Sequence, residues 1–149
     1  MDNYIQKTIS YESPELTEKY NLAPFIMKVQ GIDRTLIDKV FAICDYYLQD
    51  KIKRHSRHIY DIYKILPIVS QDSDFKMLIS EVRNIRKASA ICPSAQEEIS
   101  IPELLNTIIK EKVYRNDYIN LTSKLLQEDI SYETAITSIS EIISSGMFN

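Results

Sequence analysis

The sequence predicts a mainly α protein, a small helical bundle with room for one or two short N-terminal β-strands. Three observations carry this. Only 2 glycines and 5 prolines occur in 149 residues, too few breakers for a meander of short strands. Apolar residues recur at i, i+4, i+7 spacing along much of the chain. Ser, Asp and Pro stand where those runs begin, as helix starts require. The composition, 44% hydrophobic and 26% charged, is that of an ordinary globular protein. A chain of this length buries about 68–70% of its unfolded surface, so residues 1–149 read as one domain.

Residues 1–13 are polar with scattered Tyr4, Ile5, Ile9 and Tyr11, a short strand or an irregular lead-in. Ser13-Pro14-Glu15 starts a short helix to about Tyr20, with Ser at the N-cap and Pro at the first helical position. Pro24 ends it. Phe25–Val29 is a brief apolar stretch with the character of an edge strand, which would pair with a sheet outside this chain.

Asp33 is placed to cap a strong helix over 34–49. Leu36, Val40, Ile43 and Tyr47 share its apolar face, and Arg34, Asp38 and Asp45 lie on a more polar one. A second helix, about 56–66, buries Ile59, Ile62, Tyr63 and Leu66 and stops at Pro67. A third spans about 74–90, capped by Asp72 or Ser73, with Phe75, Leu78, Ile79, Val82 and Ile85 inward. Residues 92–96 form a loop. Ser100 caps a fourth helix with Leu104, Leu105, Ile108 and Ile109 inward, breaking near 115–117. A fifth covers about 117–126, and a sixth 132–144, ended by Gly146.

The net charge of −3 excludes the strong basic excess of a stand-alone nucleic-acid binder. A local exception is Lys51–His58, where six of eight residues are Lys, Arg or His. Cys44 and Cys92 lie far apart without a CxxC or Cys/His pattern, so no metal site is expected and reduced thiols fit. Cys44 reads as a buried thiol. No signal peptide and no 18-residue apolar run occur, which points to the cytoplasm and to no membrane partner.

Two polar groups stand out. Lys39 sits mid-helix between Ile37, Val40 and Phe41. Its plain reading is a lysine with a packed stem and an amine in water; its functional reading is a point charge aimed at a phosphate. In Ser56-Arg57-His58-Ile59-Tyr60-Asp61, Arg57 and Asp61 are four apart on one helical face. The plain reading is a surface ion pair of about 0.3–0.5 kcal/mol, with His58 an ordinary half-buried histidine.

The order of these groups carries a resemblance. DRTLIDKVFAICDYYL (33–48) followed by SRHIYDIYKIL (56–66) resembles the C-terminal motifs of nucleotidyltransferases of the AbiEii/AbiGii toxin family. The resemblance spans residues 20–96. It implies a bacterial toxin–antitoxin or abortive-infection context, with an antitoxin as partner and tRNA as the acceptor for some members. It implies that Lys39 contacts the triphosphate, Arg57 and His58 assist in binding phosphates, and Asp61 serves as the catalytic base. In the family, paired carboxylates in a Gly-Ser-initiated N-terminal segment hold Mg²⁺. This sequence has no Gly-Ser before an acidic pair. The resemblance therefore implies a C-terminal helical part, inactive alone and without a cofactor of its own. Mg²⁺ and a nucleoside triphosphate would be used once the missing half, in the same or a partner chain, completes the site.

Two other classes compete. A non-enzymatic interaction module predicts an exposed apolar patch on 97–149, around Ile108, Ile109, Val113 and Ile119. RNA binding through Lys51–His58 requires that segment exposed, with affinity falling steeply in salt.

Overall fold

The central element is a 17-residue helix, α2 (Ile32–Leu48), preceded by a short helix, α1 (Pro14–Lys19). Residues 11–20 and 28–149 are described by the computed structural model. Helix α2 contains neither Gly nor Pro, and Leu36, Ile37, Val40, Phe41, Ile43 and Cys44 are wholly buried. Each such aliphatic side chain contributes about 1.5–3 kcal/mol on burial. This is a wider apolar arc than a surface helix needs, because α2 is packed against α3 (Arg57–Ile65), α4 (Ser73–Lys87), α5 (Ile101–Lys110) and the 3₁₀ turn Pro93–Ala95.

The rest of the bundle follows. Leu66–Ile68 continues α3 as a 3₁₀ turn at Pro67. After α5, Arg115–Asp117, Tyr118–Thr122 and Ser123–Leu125 run on as one helical rod, α6, whose middle turn is π-helical. Helices α7 (Tyr132–Ala135) and α8 (Thr137–Ser145) close the core, α8 packing on α3 and α5. Gly146 ends α8 in the left-handed conformation, φ 65°, which glycine adopts without a Cβ penalty.

Several expectations hold. Ser100 Oγ accepts from Glu103 N, and Asp72 rather than Ser73 caps α4, accepting from the amides of Asp74 and Phe75. Others change. The N-cap of α2 is Gly31, and Asp33 lies in the first turn, where its carboxylate complements the helix dipole. Ser13 starts α1 without a side-chain cap bond. Ile85 is 51% exposed instead of inward. The break after α5 comes at 111–114, where Lys112 turns to φ 51° and swings Tyr114 into the core, its hydroxyl donating to Ile43 O at 2.6 Å. The proposed strand 25–29 falls mostly outside the described residues; Lys28 and Val29 are not in a strand.

In the C-terminal region Ile108 is in the core, Ile109 and Val113 are partly buried against it, and the exposed large apolar side chains are Ile119, Leu121 and Leu125 on α6.

Candidate functional site

Helices α2 and α3 are neighbours, and their facing sides bring together residues 22 positions apart in sequence. Lys39 Nζ donates to Asp61 Oδ2 at 2.7 Å. His58 Nδ1 lies 3.3 Å from the same ammonium and 3.5 Å from the same carboxylate oxygen. The three groups form a triangle at the surface: Lys39 and Asp61 side chains are 27% and 31% exposed, while His58 is nearly buried. Asp61 Oδ1 has no partner among the described residues. Burial pushes the Asp61 carboxyl up, but hydrogen bonds from His58 and Lys39 outweigh it and hold the group below the ordinary aspartate range.

Arg57 does not join. It is exposed and forms no hydrogen bond or ion pair among the described residues, so the i,i+4 pair with Asp61 is not made; Asp61 turns across to Lys39 instead. Of the four residues singled out from sequence, three converge and the fourth sits one position before His58 at the start of α3.

Two supports fix the triangle, and neither was visible from motif reasoning. Asp117, on α6, accepts from the amides of Arg54 (2.9 Å) and Ser56 (3.1 Å), capping α3 from outside its own segment. Ser56 Oγ also meets Thr122 Oγ1 at 2.7 Å. A ring column backs His58: Tyr46 stacks on His55 with centroids 3.5 Å apart and lies parallel to His58 at 5.8 Å.

Helix α2 carries a second charged cluster. Asp45, 3% exposed, accepts from Ser94 N and Ser94 Oγ on one oxygen and from Arg86 on the other at 2.7 Å. Arg86 also donates to Asp38 at 2.8 Å. The 92–96 loop is thus a clasp on α2. Arg83 adds two bonds to its carbonyls, at Ala95 and Gln96, and a third just beyond it at Ile99. Asp45, placed from sequence on the more polar face of the helix, is a buried structural anion.

Among the described residues no group of three or more His, Cys, Asp or Glu is arranged to hold a metal, and no helix is long and apolar enough to cross a membrane. No curated protein and no solved structure matches the chain. The model of the family described as nucleotidyl transferase AbiEii toxin, Type IV TA system, matches residues 3–138. That match extends beyond 20–96 on both sides and takes in α5, α6 and α7, which carry no motif. The chain, with its lysine and aspartate paired across two helices, belongs to the nucleotidyl transferase AbiEii toxin family.

Proposed function

We propose that this chain is the triphosphate- and acceptor-binding helical part of a nucleotidyltransferase-like toxin, with Lys39 as the triphosphate contact and Asp61 as the general base. The observation that carries the reading is the 2.7 Å Lys39–Asp61 contact at the surface, with Asp61 Oδ1 unpartnered among the described residues.

In nucleotidyl transfer an acceptor hydroxyl oxygen attacks the α-phosphorus, the bond to pyrophosphate breaks, and the hydroxyl proton leaves to a base. Held low by Lys39 and His58, Asp61 is a poor base at rest. A triphosphate oxygen competes with Asp61 for the Lys39 ammonium. As Lys39 turns to phosphate, Asp61 loses its cation and its pKa rises toward the range where a general base works. Nucleotide binding therefore arms the base. His58 supplies a further donor beside the phosphates when protonated, and Arg57 stands exposed one residue away to hold them bidentately.

The residues present do not fit Mg²⁺: Asp61 is a single carboxylate beside an ammonium, and the described residues offer no group of three or more His, Cys, Asp or Glu around it. The paired carboxylates, in this reading, come from another segment or partner chain, and the bacterial cytoplasm, an antitoxin partner and a tRNA acceptor belong to the same reading.

Calorimetric titration of the chain with ATP, GTP, CTP and UTP without metal tests it. Lys39→Ala is expected to weaken nucleotide binding at least tenfold. Asp61→Asn, which frees the ammonium, is expected to bind as tightly or more tightly. Equal affinity for the wild type and Lys39→Ala, or no binding of any of the four by the wild type, overturns the assignment.

A further inference from the structure

The turn between α2 and α3 is held in a conformation that an ordinary connection avoids. Asp50 and Arg54 both take positive φ, 54° and 69°, a region costly for residues other than glycine. The amides of Arg54 and Ser56 are clamped by the Asp117 carboxylate. The shape is therefore fixed by the fold and not left to the loop.

What the turn presents is charge. Lys51, Lys53, Arg54 and Arg57 are all exposed, and none forms an ion pair among the described residues; Lys51 reaches only the amide oxygen of Gln49. Elsewhere Lys64 finds Glu128 and Arg115 finds Glu133; Lys76, Lys110 and Lys124 are also exposed without an ion pair among the described residues, but they are spread along the sequence, whereas these four lie within seven residues. The turn's own acid, Asp50, lines the first groove and forms no ion pair with these cations among the described residues, and Asp117 already has both oxygens bound to backbone amides. Two grooves flank Lys53, of about 620 Å³ and 440 Å³. The first is lined by His55, whose ring stacks on Tyr46 and whose Nδ1 is buried without a partner. The second is lined by Arg54, Asn116 and Asn120 together with the apolar Ile52, Val113 and Leu121 and the bound Asp117. Unpaired cations, an aromatic stack and amide side chains along a groove are the elements that grip a nucleic-acid strand.

The position matters as much as the charge. Arg57 precedes Asp61 by four residues on α3, about 6 Å of helical rise. A strand lying on the turn would bring a terminal hydroxyl within one helical turn of the Asp61 carboxylate.

We infer that the 50–57 turn, clamped by Asp117, is the surface that grips the phosphodiester backbone of an RNA acceptor and feeds its end to the Lys39–Asp61 pair. This rests on the nucleotidyl-transfer reading for the role of the pair, while the surface is tested by binding alone.

Fluorescence anisotropy with labelled bulk tRNA across a salt series tests it. The Lys51→Gln/Lys53→Gln/Arg54→Gln variant is expected to bind at least tenfold more weakly, with a log K against log salt slope shallower by about 2–3. Removing the same charge elsewhere, as Lys19→Gln/Lys76→Gln/Lys110→Gln, is expected to leave affinity within twofold. Equal losses in both triple variants overturn the surface, because net charge alone would then account for binding. So does a wild type that binds poly-glutamate or duplex DNA as tightly as tRNA. Loss of tRNA binding in the turn variant with nucleotide affinity unchanged supports the surface. Tight nucleotide binding lost in Lys39→Ala, alongside tRNA binding indifferent to the turn, sinks the surface and leaves the nucleotide site standing.

Discussion

Helix α2 carries two charged clusters, and they are built on opposite plans. Around Arg86 the bonding is nearly saturated: Asp45 is buried, each of its oxygens is occupied, and Asp38 takes a second guanidinium nitrogen, leaving only Arg86 Nε without a partner. Around Lys39 the bonding is incomplete: one carboxylate oxygen is unpartnered among the described residues, and both ionic partners are more than a quarter exposed. A buried charge must be matched within the protein or it destabilises the fold. A half-exposed charge with spare capacity contributes little to stability and remains available to a ligand. The contrast separates a clasp from a candidate site using the same residue types on the same helix.

The largest break in this comparison comes at the clasp. Asp45→Ala leaves Arg86 and Ser94 facing a void where an anion stood, and is expected to cost about 3–5 kcal/mol in urea denaturation. At a temperature where the variant is still folded, nucleotide affinity should stay within twofold of wild type. A cost below about 1 kcal/mol would place Asp45 with surface ion pairs and dissolve the contrast.

Smaller losses are expected where single bonds hold the site in place. Asp117→Ala exposes the Arg54 and Ser56 amides, a lost cap worth about 1–2 kcal/mol by equilibrium denaturation. Tyr114→Phe keeps the ring and removes one buried bond to Ile43 O, about 0.5–1.5 kcal/mol by the same measurement. If Asp117→Ala proved neutral, the turn between α2 and α3 would be held by its own local contacts and not by α6.

These supports mark where the sequence was readable. Apolar spacing located α2, α3, α4 and α5, because each buries a continuous stripe whose period is local. The order of Lys39, Arg57, His58 and Asp61 along two adjacent helices pointed to the group, but not to which of its members meet: Lys39, His58 and Asp61 come together and Arg57 stays apart. The burial of Asp45 was not legible, because its partners lie 41 and 49 residues away and nothing within one helix distinguishes a buried aspartate from a solvated one. The break at 111–114 was misplaced because no Gly or Pro marks it; burial of Tyr114 sets the turn, at the expense of a left-handed Lys112. Asp117 was invisible for the same reason as Asp45: its work is done 61 and 63 residues away.

The smallest expected effect on stability belongs to Asp61 itself. Asp61→Asn removes a part-exposed pair and should cost no more than about 1 kcal/mol at neutral pH. The sign of its pH dependence is fixed by the low folded carboxyl. Stability from Asp61 is fully present above the unfolded aspartate value, about 3.9, and is lost as pH falls through the folded value below it. Below about pH 5, outside the range in which a neighbouring imidazole ordinarily changes charge, the gap in denaturation midpoint between wild type and Asp61→Asn should therefore close as pH drops below about 4. Glu128, Asp72 and Asp117, also held low by their partners, lose stability in the same direction in both proteins and cancel from the difference. A gap that opened with acid instead would mean that the carboxyl is raised in the fold, and the Lys39–Asp61 contact could not then be the resting state that a triphosphate must displace.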